Sequence, residues 1–247
     1  MNIKSTLIAS LSLLVLWEIG SLGLRTALLP DPIAVFRTFL LDLPKGLWWH
    51  ILISSWRMLA GMAIAVVLGV PLGLWLGQSK KWDKIASPLV YVTYPVPKIV
   101  LLPIVLLFLG IGDTSKIFII SLILFYQVLV VVRDASIGIR PELIQSVRSL
   151  GARKRDLFRY VYLPACLPAT LTALRVSTGT AIAVLYIAES FATRSGLGFY
   201  IMDTWQSLAY PQMYSAVVAM SLLGLTVYVG LDRLEKRMCG WVKAGAV

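Results

Sequence analysis

Two stretches of this sequence of 247 residues place polar or conformationally constrained residues at spacings that could do chemistry. The first runs from Glu142 to Pro168, ELIQSVRSLGARKRDLFRYVYLPACLP, a basic, polar island between long apolar runs. Good helix formers carry Leu143, Val147 and Leu150 at spacings of four and three, a small apolar face suited to a groove on another protein, and Gly151 then ends or redirects the helix. The second is TYPVPKIVLLPIVLLFLGIGD, from Thr93 to Asp113. Each proline here removes a backbone donor and disfavours helix in the residue before it, so a helix through this stretch breaks near Tyr94 to Lys98. The chemistry on offer is noncovalent: recognition of a protein surface at the first stretch, passage of a polar solute past a broken backbone and a lysine at the second. Tyr94, Pro95, Pro97 and Lys98 are the candidate path residues.

Covalent chemistry has no visible equipment. His50 is the only histidine, beside Trp48 and Trp49, where aromatic pairs anchor a helix at a membrane interface. There is no G-x-S-x-G, no phosphate-cradling glycine loop and no close carboxylate pair. Cys166 and Cys239 form no C-x-x-C pair, and no disulfide, metal or cofactor is assigned to this chain. The expectation is a non-enzymatic protein.

The elements that must position these stretches follow from composition. With 58% hydrophobic and 14% charged residues, the chain is too apolar for a soluble domain and reads as an all-α integral membrane protein forming one domain over 1–247. A spanning helix needs roughly 20 apolar residues, and six candidates appear: about Ser5 to Leu24, Ser54 to Gly77, Ala86 to Gly110, Ile117 to Val132, Ala165 to Phe191 and Gln212 to Leu231. The first lacks a small-residue cleavage site after its apolar run and reads as a retained helix. Placing both termini inside puts fifteen basic residues in the cytoplasm, among them Lys4, Lys80, Lys81, Lys84, seven from Arg133 to Arg159, and Lys243. Six lie outside: Arg25, Arg37, Lys45, Arg57, Lys116 and Arg194. This positive-inside bias accounts for the net charge of +11 without any nucleic acid.

Between the first two spans, Asp31 can cap and Pro32 can start a helix whose Ile33, Phe36, Leu40, Leu43 and Leu47 form one apolar stripe. A helix lying on the outer interface and a helix packed on the bundle both produce that stripe. Lys98 either sits at the cytoplasmic interface or, on a helix starting near Ala86, lies roughly 18 Å along it beside a watery path; the path is the favoured reading. Arg175 and Glu189 sit roughly 21 Å apart along one helix and cannot pair with each other. Arg175 reads as snorkelling to cytoplasmic head groups, and Glu189 as lying near the outer surface.

The loop of about 134–164 resembles the E-A-A, three residues, G, nine residues, I-x-L-P signature of ATP-binding-cassette importer permeases. LPDPIAVFRTF, SSWRMLAGMAIAVVLGVPLGLWLG, YPVPKIVLLPIVLLFLGIGDTSKI and AESFATRSGLGFYI resemble its nitrate, sulfonate and taurine branch, so the resemblance covers nearly the whole chain. Gly151, Val161, Leu163 and Pro164 fall on signature positions, whereas Gln145, Ser146 and Val147 stand where the family has Glu-Ala-Ala. The resemblance implies a type I importer permease fold with six transmembrane helices and a cytoplasmic coupling helix, in a bacterial inner membrane. It implies docking of the ATPase on Glu142, Leu143, Gln145, Ser146, Val147, Leu150, Gly151 and Ala152. The implied partners are a second copy of the chain, a cytoplasmic ATPase dimer that holds ATP and Mg, an external solute-binding protein, and the lipid bilayer. The function implied is uptake of a small anionic solute, with the binding protein setting the choice. A stand-alone secondary transporter or channel is the alternative, but no inverted repeat or set of intramembrane acids supports it.

Overall fold

The computed structural model describes residues 3–241, with side chains from residue 8 onward. The side chain of Lys4 and the whole of Lys243, both used in the charge count, lie outside the described residues. Every regular element among those described is helical: α1 (Ile3–Leu24), α2 (Pro32–Asp42), α3 (Trp48–Gln78), α4 (Lys80–Thr93), α5 (Leu102–Leu109), α6 (Asp113–Ile137), α7 (Pro141–Ser149), α8 (Lys154–Leu157), α9 (Leu163–Ser190), α10 (Leu197–Gln206) and α11 (Tyr210–Met238).

Four described stretches are long and apolar enough to cross a membrane: Pro32–Gln78, Asp113–Ile137, Lys154–Ser190 and Tyr210–Met238. Lys80–Thr93 and Lys98–Leu109 make a fifth if taken as one span, bent by 79° at the prolines. The expected first span is present as α1, whose fully described part, Ile8–Leu24, is shorter than the roughly 20 residues that cross a bilayer.

The chain divides into two compact units, one from Met1–Ser55 with Glu189–Leu223, the other from Trp56–Ala188 with Gly224–Val247. In the first, Asp31 caps α2 as its position suggests, its carboxylate accepting the Ala34 N–H at 2.7 Å, with Pro32 opening the helix. Trp17 donates to the Pro30 carbonyl and Ser21 to that of Leu29, which fixes the turn between α1 and α2. Of the apolar stripe, Ile33 (76% exposed), Phe36 and Leu40 face outward and Leu47 is buried, so most of the stripe does not pack on its own chain.

In the second unit, Ile119, Ile120, Leu124, Val128 and Val132 bury one side of α6 completely. Against it α3 lays Gly61, Gly69, Gly73 and Gly77. A Cβ on Gly61 would come within 2.6 Å of Ile120, and one on Gly77 within 2.6 Å of Ser136. Small residues at helical spacing thus let two backbones approach where lipid supplies no hydrophobic drive for helices to associate. Gln78 locks the end of this crossing by donating to the Ser136 carbonyl at 2.7 Å. Arg57, counted among the basic residues on the outer side, is 2% exposed and donates Nε and Nη2 to one carboxylate oxygen of Asp113 at 2.9 and 2.6 Å. Lys116 is likewise buried and donates to the Ile111 carbonyl. Both cations lie within packed helices, where a charge is retained only with a partner.

Candidate functional site

The stretch from Glu142 to Pro168 folds as a short helix on a buried base. Pro141 opens α7, Glu142 sits in its first turn and Arg148 in its last, matching the helix dipole at both ends. Gly151 follows at φ +84°, its N–H bonding the Arg148 carbonyl, and only a residue without a side chain takes that turn without strain. Asp156 accepts the Arg153 N–H at 2.9 Å and starts α8. Leu157 and Val161 are then buried, which anchors the return into α9. Leu143 is 44% and Leu150 86% exposed, with Val147 half-buried between them, so the apolar face expected from the spacing is present and uncovered. Glu142, Gln145 and Ser146 are exposed and Ala152 half-buried. The Ser146 and Ser149 hydroxyls turn back onto the carbonyls of Glu142 and Gln145.

The broken span has the break where the prolines put it. α4 ends at Thr93, the chain turns through Tyr94 to Pro97, and a 3-10 turn, Lys98–Leu101, leads into α5. Lys98 therefore does not sit on a continuous helix from Ala86. Its ammonium donates to the carbonyls of Thr93 and Tyr94 at 2.8 Å and of Val96 at 3.2 Å, and lies 4.2 Å from the centre of the Tyr126 ring. The lysine thus satisfies carbonyls that the interrupted helix leaves without donors, and the ring shares its charge. Tyr94, Pro95, Pro97 and Lys98 come together around one cavity of about 300 Å³ with Tyr126, Gln127 and Thr180. A second cavity of about 580 Å³ shares Tyr94, Gln127 and Thr180 and adds α9 residues from Pro168 to Ser177 and Glu235.

Several functional-looking groups escaped the sequence reading. Arg175 does not snorkel: it pairs with Asp232 at 2.8 Å and Glu235 at 3.3 Å, and Thr172 donates to Glu235. Arg133 forms a second clasp, to both carboxylate oxygens of Asp83 and to Ser87. In the first unit, Glu189 is fully buried. Its carboxylate accepts from Ser54 at 2.7 and 2.9 Å and from the Gly198 N–H at 3.0 Å, while Ser54 accepts the Leu197 N–H at 2.8 Å. Glu189 thereby holds the first turn of α10 through its unpaired N–H groups. Gly196, at φ +109°, must be glycine because a Cβ there would run into that carboxylate. His50 bonds the Gly196 backbone through Nδ1 at 3.1 Å and packs on Phe199 and Tyr200. Tyr200 reaches Asp42, and burial together with that carboxylate pushes its phenol up to about 12. An intramembrane charge is itself the signal that a partner exists. Which helix supplies it is a matter of packing that no single segment displays. No group of three or more metal-ligating side chains occurs among the described residues.

Residues 69–239 match the family described as binding-protein-dependent transport system inner membrane component. The chain is 31% identical over 236 residues to the taurine transport system permease protein TauC of Escherichia coli (strain K12), covering 93% of this chain and 86% of that protein. It is 28% identical over 236 residues to the formylaminopyrimidine transport permease protein ThiX of Halalkalibacterium halodurans, with 94% of each covered. A putative aliphatic sulfonates transport permease protein, SsuC of Bacillus subtilis (strain 168), is 29% identical over 232 residues, covering 93% and 84%. Among solved structures, an inward-facing MetNI methionine ABC transporter superposes with a TM-score of 0.66 at 21% identity, covering 80% of this chain and 98% of that one. A bacterial ABC transporter that imports the acidic polysaccharide alginate gives 0.60 at 18% identity, covering 94% and 95%. Both share the fold.

Proposed function

The chain belongs to the family of binding-protein-dependent transport system inner membrane components, the permeases of ATP-binding-cassette importers, and we propose that two copies of it form a solute path driven by a cytoplasmic ATPase dimer. The observation that carries this reading is the exposed pair Leu143, on α7, and Leu150, its C-cap, on a helix fixed at Gly151 and rooted in the buried Leu157 and Val161. An uncovered apolar face on a charged loop fits a groove on a partner, and a rigid root lets the partner's movement reach α9 and the membrane. Glu142, Gln145, Ser146, Val147, Gly151 and Ala152 complete the docking surface, with Gln145 hydrogen-bonding where the family signature carries an acid. ATP and Mg belong to the ATPase, and this chain is a non-catalytic subunit.

Tyr94, Pro95, Pro97 and Lys98 belong to the path, because a broken backbone in a membrane span is tolerated beside a polar cavity. An external solute-binding protein delivers the cargo. The taurine and sulfonate relatives support a small organic sulfonate or similar anion as that cargo. The basic bias of the sequence supports a bacterial inner-membrane location with both termini cytoplasmic. Co-expression of the chain with its cognate ATP-binding-cassette ATPase tests the reading. The wild type should co-purify with the ATPase and Leu150→Asp should not. An intact, transporting Leu150→Asp complex would sink the docking assignment.

A further inference from the structure

Around the two cavities, each cationic side chain already has an anionic or carbonyl partner. Lys98 holds three carbonyls at the break, and Arg175 holds Asp232 and Glu235, the second of which lines the larger of the two. Three neutral groups behave differently. Tyr94, Gln127 and Thr180 line both the 300 and the 580 Å³ cavity, and among the described residues no hydrogen bond engages the Tyr94 or Thr180 hydroxyl. On the same helix Thr170 and Thr178 turn their hydroxyls onto the carbonyls four residues back, at 2.9 and 3.1 Å, which is the ordinary fate of a threonine in a buried helix. The side-chain oxygen of Gln127 is buried with no partner at all. A polar group buried without a bond is destabilising, as the Gln127 oxygen is, and the exposed Tyr94 and half-buried Thr180 bring two further unengaged hydroxyls to the same cavity wall, so the three mark a place that the fold leaves ready for something else.

We propose that Tyr94, Gln127 and Thr180 form a neutral hydrogen-bonding station for the oxyanion head of the transported solute. This rests on the reading of the two cavities as the solute path. Hydroxyl and amide donors bind a sulfonate-type oxygen more weakly than a free lysine or arginine, and a conduit needs contacts strong enough to admit its cargo and weak enough to release it. Lys98 then contributes field and geometry, while the contacts that discriminate are made by the three uncharged groups. Gln127, whose amide can turn either its donor or its acceptor end, adjusts the station to the orientation of the solute.

The test uses Thr180→Cys in the full chain with Cys166→Ser and Cys239→Ser, assembled with its partners in membrane vesicles of both orientations. Sulfonatoethyl methanethiosulfonate, itself a small sulfonate, is compared with uncharged methyl methanethiosulfonate. The introduced thiol should react with both. Adding Gln127→Leu or Tyr94→Phe should slow the sulfonate reagent about three- to tenfold, the value of one hydrogen bond, and change the uncharged reagent by less than about twofold. Gln127→Leu should not lower the melting temperature, since it removes an oxygen that has no partner. If the sulfonate reagent reacts at an unchanged rate in both variants, or Gln127→Leu melts lower, the station is wrong and the path reading stands. If the thiol reacts with the sulfonate reagent from neither face, the path reading itself fails and takes the station with it.

Discussion

Along α7 and its C-cap, Leu143 and Leu150 stand out from the protein while Ser146 and Ser149 turn their hydroxyls onto the helix's own carbonyls. At the broken span the allocation is reversed: the lysine charge is taken up by carbonyls, and hydroxyl and amide groups remain without partners. In water the unsatisfied quantity is apolar area, and an exposed leucine awaits a protein surface. Within a membrane lipid covers leucine freely, and the unsatisfied quantity is a hydrogen bond. The two regions teach one rule for finding a site: look for what the local solvent leaves unmet.

Both regions depend on the α3–α6 crossing, so the largest expected effect abolishes the contrast altogether. Gly77→Val places a Cβ within 2.6 Å of Ser136 and forces the helices apart, a loss of about 3 kcal/mol or more. Thermal unfolding in detergent should show the drop, with ATPase binding and transport lost together. An unaltered melting temperature would mean that the crossing is looser than the geometry has it.

Lys98→Met separates the regions. It leaves three carbonyls without their donor and removes the cation from Tyr126, a loss of about 1–3 kcal/mol at the break. Transport in proteoliposomes should slow, while the ATPase still co-purifies and the external binding protein still captures solute. Wild-type rates would show that the break needs no clip. Leu150→Asp is the converse: its side chain is 86% exposed, so the melting temperature should stay put. Affinity for the ATPase should fall on the order of tenfold or more, as a charge enters an apolar groove. Simultaneous loss of fold and docking would argue that Leu150 packs within its own chain.

How much of this was legible depends on whether the cause was local. The break at Tyr94–Pro97 and the turn at Gly151 follow from the conformational limits of proline and glycine, and the Asp31 cap from side-chain reach, so one segment sufficed for each. The exposed face of α7 could be read from the spacing of three residues. Partners across the chain could not. Arg175 looked like a snorkelling residue because its acids, Asp232 and Glu235, are 57 and 60 positions away on another helix. The Ser54–Glu189 clasp joins residues 135 apart. The row Gly61, Gly69, Gly73, Gly77 was not singled out from the sequence, and its meaning as a contact with α6 needed the packing. Gln127 gave no signal whatever, since a missing partner is a property of three-dimensional neighbours.

The smallest expected effect tests whether the loop works by shape as well as by apolar area. Gly151→Ala meets no atom within 4 Å, so any consequence comes from φ +84° alone, a strain of about 1 kcal/mol for a residue with a Cβ. Relief of that strain would turn the chain after α7 and swing Leu150 relative to Leu157, while leaving the apolar face chemically intact. ATPase affinity should then fall only a few-fold, but the coupling ratio, solute moved per ATP hydrolysed, should fall further, because a helix re-aimed on its root transmits movement poorly. A loss of affinity with an unchanged coupling ratio would mean that the loop acts as a tether, with the apolar pair doing all that α7 contributes.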